Sequence, residues 1–311
     1  MKNSEIGHDE AGTFWHIHFY MFQLADKYML KTNKEKLPII SVQGAVSPPT
    51  MRGPRIDVEG RVHYFPGTGG ITYNAKIGDP CCGWAADHLE PGVSSKSSDD
   101  LINRAYNTYS CIGNEAKIIS GDAKGALGIV VGKHGGIEHL MIHFDDKTLE
   151  KLSIEDKILV KSQGQGMELI DYPDIMLRSM SPALLEKMNI TEENGALKIG
   201  VAAIAPASIM GSGIGMLPSA SGDYDITLFD RKIAEANGLM DLRFGDIVAL
   251  VDADTRYGRT FVTGAVTIGV IVHSDCVVSG HGPGVTTLMS ACDNKIIPFI
   301  DRNANLKNFF L

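Results

Sequence analysis

From Leu37 onward the chain runs in short apolar stretches broken by Gly, Pro, Asn and Asp, the punctuation of β-structure. Ile39-Ile-Ser-Val42 predicts a first strand, Val62–Phe65 a second, Ile118-Ile119 a third and Gly128–Val131 a fourth. Helical signals are few: Pro182–Met188, and Asp230–Asn237 closed by Gly238 as a left-handed cap. Between Gly125 and Leu169 three apolar runs separated by turns predict a small SH3-like barrel. Leu152-Ser-Ile-Glu-Asp156-Lys-Ile158-Leu-Val160 is echoed by Leu242-Arg-Phe-Gly-Asp246-Ile-Val248-Ala-Leu250, each frame reading as a turn that launches a strand.

The expected fold is therefore mainly β, a β-rich α+β protein of two β modules with few short helices. Residues 37–175 form the first module, including the small barrel, and 176–311 the second, with Pro173 and Pro182 bracketing the junction. An extension over 1–36 precedes them. There Phe14, Ile17, Met21, Leu24 and Tyr28 recur at three- and four-residue steps, predicting a helical stripe suited to contact within a homo-oligomer. His16 and His18 would lie about 200° apart on such a helix, so they are read as structural.

Composition narrows the function. A 311-residue chain with 44% hydrophobic and 21% charged residues is ordinary globular material, long enough for two domains. Its formal charge of -8 argues against nucleic-acid and anionic-membrane partners and in favour of a small-molecule ligand. Five cysteines are an odd number, and the adjacent pair Cys81-Cys82 disfavours an ordinary disulfide, which points to a reducing compartment. Glu5, Asp9 and Glu10 occupy the place of a cationic signal-peptide start, so the expected location is cytoplasmic. Cys111, Cys276 and Cys292 read as small hydrophobic residues.

The densest chemistry lies in His273-Ser-Asp275 and the following Gly280-His281-Gly282-Pro-Gly284. On a strand His273 and Asp275 share a face, with His281 following in a glycine-rich loop open to a ligand. Asp87-His88-Leu-Glu90 is a second cluster, in which a carboxylate beside an imidazole can fix its tautomer and loop oxygens and nitrogen suit a divalent metal. Ser120-Gly-Asp122-Ala-Lys124-Gly125 and Lys133-His134 form a third, where Lys124 or Lys133 could hold an anionic group. His139 and His143 alternate with Leu140, Ile142 and Phe144, so they are expected to face solvent. Asp223 and Asp225, two apart, either join the histidines or cap the following helix. Met210-Gly-Ser-Gly213-Ile-Gly215 lacks the βαβ context of a dinucleotide loop, so no nucleotide cofactor is expected.

These runs, with Gly69-Gly-Ile-Thr-Tyr-Asn74, Arg243-Phe-Gly-Asp246, Tyr257-Gly-Arg259 and Gly280-His-Gly-Pro-Gly-Val-Thr-Thr287, together resemble the domain-of-unknown-function family 4438 over most of Leu37–Pro298. The resemblance implies a shared β-rich fold and no particular reaction. Gly121-Asp122 and the Asp87–Glu90 loop are also loosely similar to acetamidase/formamidase-type amide hydrolases, although no histidine follows Asp122 where those enzymes place one. The functional expectation is a metal-dependent hydrolase of a small amide or related carbonyl compound, using zinc or a similar divalent ion. His88, Asp122, His273 and His281 would bind the metal. Asp87, Glu90 or Asp275 would act as general base or orient a ligand, and Lys124 would contact substrate. The alternative is a noncatalytic ligand-binding or oligomeric assembly protein whose imidazoles are hydrogen-bonded structure.

Overall fold

A computed structural model of the chain describes residues 30–51, 53–216 and 219–311. The stripe from Phe14 to Tyr28, with His16 and His18, lies outside the described residues. The first strands are β1 (Ile40–Val46), β2 (Arg55–Ile56), β3 (Val62–His63), β4 (Ile71–Thr72), β5 (Gly92–Lys96), β6 (Glu115–Ile118), β7 (Leu127–His134), β8 (His139–His143) and β9 (Lys157–Ser162). Six of them pair antiparallel in the cyclic order β1-β9-β6-β7-β8-β5, and Ala45↔Lys96 and Val46↔Ser95 close β5 back onto β1. Closure removes exposed sheet edges and turns alternate residues inward. Thus Ala116 and Ile118 of β6 meet Ile158 and Val160 of β9 in the interior, all fully buried. The barrel is larger than the expected 125–169 unit because β1, β5 and β6 enter from earlier in the chain.

The second group comprises β10 (Met176–Leu177), β11 (Ile190–Glu193), β12 (Ala196–Val201), β13 (Ala203–Pro206), β14 (Tyr224–Asp225), β15 (Ile247–Asp254), β16 (Thr260–Ile271), β17 (Gly284–Ala291) and β18 (Ile296–Ile300). One sheet has the order β10-β17-β16-β15-β13 with β14 also on β17, and a smaller sheet runs β11-β12-β18. The α-helices are short: α1 (Asp100–Tyr109), α2 (Asp146–Leu149), α3 (Pro182–Lys187), α4 (Arg231–Ala236) and α5 (Leu306–Phe310). The predicted α3 and α4 are present, Asp230 caps the amides of Lys232 and Ile233, and Gly238 sits at φ 65°.

The repeated frame is a repeated turn. Asp156 accepts the Ser153 amide at 2.9 Å and Asp246 the Arg243 amide at 2.8 Å, each immediately before its strand. Helix α1 has no counterpart in the sequence reading because the face it buries is Asn103, Tyr106 and Asn107, which carries the helical i, i+3, i+4 spacing but little hydropathy. Both asparagines instead donate to the Glu138 carbonyl.

The barrel and the second sheet meet directly. Thr286 of β17 donates its hydroxyl to the Lys133 carbonyl at 3.0 Å and accepts the Lys133 amide at 3.3 Å. The residue after Lys133 is His134, at the end of β7, so this seam carries the chain straight into the polar cluster described below. Among the described residues no helix is long and apolar enough to cross a membrane.

Candidate metal centre

Four loops converge on the seam: the one ending in Asp87–Glu90, the end of β7 at His134, strand β14, and the segment from His273 to His281 after β16. They line a cavity of about 500 Å³ whose wall includes Asp87, His88, His134, Asp223, Asp225 and His281. His88 and His273 have ring centroids 4.9 Å apart, His134 and His273 4.3 Å, and His88 and His281 5.0 Å.

Each of three imidazoles is held by one nitrogen. His134 Nδ1 lies 2.6 Å from Glu90 Oε1, His88 Nδ1 3.1 Å from Asp87 Oδ1, and His273 Nδ1 2.9 Å from the Ser274 carbonyl, while the second nitrogen of His88, Nε2, lies 3.0 Å from His281 Nδ1. An oxygen partner on one ring nitrogen fixes the tautomer and presents the other nitrogen as a lone pair, the usual support of a metal-bound histidine. His273 Nε2 and Asp223 Oδ2 lie 2.8 Å apart as an ion pair misaligned for a hydrogen bond, and among the described residues both are buried without another hydrogen-bond partner. Two converging orphan atoms of this kind are what a cation between them would satisfy. Gly284 leaves the room for their approach, since a Cβ there would fall 2.0 Å from Asp223 Oδ2 and 2.3 Å from His273 Nε2.

Two groups with metal-ligand spacing result: His134, Asp223 and His273, and beside them His88, Asp225 and His281. Asp225 spans both. Its Oδ1 is 3.5 Å from His273 Nε2, while its Oδ2 is 3.0 Å from His281 Nδ1 and 3.5 Å from His88 Nε2. A further grouping, Asp87, His88 and Cys276, shares His88, and the Cys276 thiol donates to Asp87 Oδ1 at 2.8 Å.

Electrostatics bind the cluster. Burial works against the charged imidazolium of His88, but the carboxylates of Asp225 and Asp87 outweigh it and push the pKa up to about 12. His273 is raised to about 10 in the same way, with Asp223 and Asp225 overcoming burial. Asp225 is held well below the ordinary carboxylate range by His273, His281 and His88, and Glu90 by His134 and His139, in both cases against the opposing effect of burial. With protons in place the carboxylates are neutralised by imidazolium; divalent ions would serve the same purpose. His88 itself adopts φ 53°, a left-handed conformation that a non-glycine residue holds only when its surroundings enforce it.

Of the residues expected from sequence, His88, His273 and His281 come together, with Asp87 and Glu90 behind them. Glu90 is anchored from all sides, accepting the Gly69 amide at 2.7 Å, the Ser94 hydroxyl and both His134 and His139, so it orients ligands and is not free to act as a base. Asp122 and Lys124 do not join the cluster. They are exposed in the tight turn from β6 to β7, closed by the Gly125 amide on the Ile118 carbonyl at 2.8 Å, and their flanking glycines serve that hairpin. Asp275 also points elsewhere, because β16 ends at Ile271 and the two-residue alternation ends with it; its carboxylate accepts the Gly83 amide at 3.2 Å.

His139 is fully buried rather than solvent-facing, with Nδ1 2.9 Å from Glu90 and Nε2 3.0 Å from Ser47 Oγ. Strand β8 is covered on both faces, so polar alternation did not signal exposure there. His143 is half-buried. Lys133 is buried too, donating to Ser179 Oγ at 3.0 Å and the Ala220 carbonyl at 2.8 Å, so it ties the seam instead of holding an anion. His134 and Asp223 complete the ligand set, and the signal for His134 was its position between Lys133 and two glycines in a run shared with the family. Cys276 is half-buried beside Asp87, not a core hydrophobe.

A closed β-barrel and a second β-sheet with a histidine–carboxylate centre in their seam define a two-part β protein with a candidate divalent-metal site. The chain belongs to the family described as "Domain of unknown function (DUF4438)": residues 54–186 match its N-terminal part and residues 187–310 its C-terminal part. A solved structure described as "Crystal structure of TM1086" is similar at 47% identity and a TM-score of 0.87, over 91% of this chain and 99% of that one. No curated protein matches the chain.

Proposed function

We propose that the protein is a divalent-metal-dependent hydrolase of a small amide or related carbonyl compound, acting in a reducing, cytoplasmic setting that keeps its five thiols free. The carrying observation is the pair of orphaned, converging ligand atoms His273 Nε2 and Asp223 Oδ2, set among imidazoles whose far nitrogens are already held. His134, Asp223 and His273 would hold one ion, and His88, Asp225 and His281 a second. Nitrogen and carboxylate donors without a required thiolate suit zinc, manganese or cobalt. Such ions, when bound, would lower the pKa of water toward neutrality and polarise a substrate carbonyl. Addition of water to the carbonyl carbon would break the C–N bond, with the departing nitrogen taking the proton that the water gave up. Asp87 and Glu90 contribute by orienting His88 and His134.

The test is release of amine from a panel of small linear and cyclic amides by protein stripped with a chelator and reloaded with zinc, manganese or cobalt. Activity is expected only in the reloaded protein, lost in His281→Ala, and kept in Asp122→Ala. A wild-type protein that retains below about 0.1 equivalent of every transition metal after loading and hydrolyses nothing in the panel contradicts the proposal and returns the imidazoles to a structural role.

A further inference from the structure

Arg259 immediately precedes β16 and lines the same cavity, yet its side chain is not used by the metal centre. The residue is 4% exposed, and among the described residues its Nε has no hydrogen-bond partner and its Nη2 makes only a long 3.4 Å contact to the Ser221 carbonyl. Among the described residues no carboxylate lies within ion-pair distance of it. The contrast with Arg55, Arg243 and Arg256 is plain, since each of these pairs with an aspartate at 2.6, 2.8 and 3.0 Å respectively. A guanidinium removed from water without a directly paired carboxylate is unfavourable unless something supplies the close anion.

Its position is fixed relative to the metal ligands. The guanidinium carbon sits 5.2 Å over the ring of Tyr224, the residue between Asp223 and Asp225. The glycine loop that lacked a dinucleotide context forms the adjoining wall: the Gly211 amide donates to the Asp225 carbonyl at 2.7 Å, and the Asp225 amide to the Ser212 carbonyl at 2.9 Å. A Cβ on Gly213 would lie 3.2 Å from Arg259 Nη1 and 3.0 Å from Tyr224 Cβ, so glycine is what allows this wall to close on the arginine.

We propose that Arg259 anchors a carboxylate carried by the substrate, so that the hydrolase acts on carboxylate-bearing small amides; this rests on the metal-hydrolase reading above. One guanidinium matches one monoanion through its planar fork. Glu138 on the same cavity wall disfavours a dianion such as a phosphate ester. Burial lowers the pKa of Arg259, although Asp223, Asp225 and Glu138 act on it in the opposite sense from beyond ion-pair distance.

The experiment is calorimetric titration of metal-loaded protein with acetohydroxamate, which offers only a metal-binding head, and with hydroxamates that add a terminal carboxylate on spacers of increasing length. For at least one spacer the carboxylate probe is expected to bind wild type about tenfold or more tighter than acetohydroxamate. Arg259→Gln is expected to abolish that preference while leaving metal content and acetohydroxamate affinity unchanged. Equal binding of all probes to metal-loaded wild type overturns the assignment without requiring any variant to fold, and so does a preference that survives in Arg259→Gln. Tighter binding of the matching phosphonates overturns the carboxylate class. Wild type that takes up no metal and binds no hydroxamate overturns the hydrolase reading and this proposal with it, an outcome distinct from metal-loaded protein that fails only to prefer the carboxylate.

Discussion

Gly284 governs how closely Asp223 and His273 approach, and a single methyl group tests that geometry. Gly284→Ala is expected to weaken metal affinity at least about tenfold, read by competition with a chromogenic chelator, because the Cβ occupies the space between the two ligand atoms. Glu90→Gln acts at one remove. It keeps the shape but weakens the acceptor for His134 and His139, and a loss of about 10- to 100-fold in metal affinity is expected in the same assay. Away from the site, Cys111 gives the alkaline limb of stability a residue-level origin. Burial raises its thiol from 9.0 to about 11, so the unfolded chain loses this proton first. Its contribution is fully present below pH 9 and lost as pH rises toward 11, amounting to about 2–3 kcal/mol. Denaturant midpoints of Cys111→Ala should therefore fall less between those pH values than those of wild type.

At the level of elements, the two turns that share the L-x-x-x-D frame can be tested as a pair. Asp156 and Asp246 each receive a backbone amide three residues earlier, and their replacement by alanine should cost about 0.5–1.5 kcal/mol apiece in denaturant melts, by removing the hydrogen bond that closes each turn. These turns, α3, α4 and the β-rich character were legible because they depend on local spacing. The barrel's true extent was not, since β1 closes onto β5 and β9 across long stretches of chain. Helix α1 was hidden by the polar residues on its buried face. In the site, His88, His273 and His281 stood out as imidazoles near glycine or carboxylate, whereas Asp122 misled because flanking glycines serve a hairpin as readily as a ligand loop. Arg259 was visible only as part of the Tyr257-Gly-Arg259 run shared with the family, and its role comes from the lack of a paired carboxylate in three dimensions.

Across the whole molecule the centre is composite. The barrel module brings His88, His134 and the orienting Glu90, and the second module brings Asp223, Asp225, His273 and His281, so bound ions would join the two halves. Metal that binds only the folded state raises stability by mass action, and the thermal midpoint of wild type should rise with zinc concentration as one cooperative transition. In His281→Ala the rise should be smaller. The most direct measurement is the metal stoichiometry of chelator-stripped, zinc-reloaded and desalted protein by mass spectrometry of its elements, with His273→Ala and Asp122→Ala measured alongside. The account predicts about two equivalents in wild type and Asp122→Ala and about one or fewer in His273→Ala; wild type with no bound zinc, or zinc lost in Asp122→Ala and kept in His273→Ala, would contradict it.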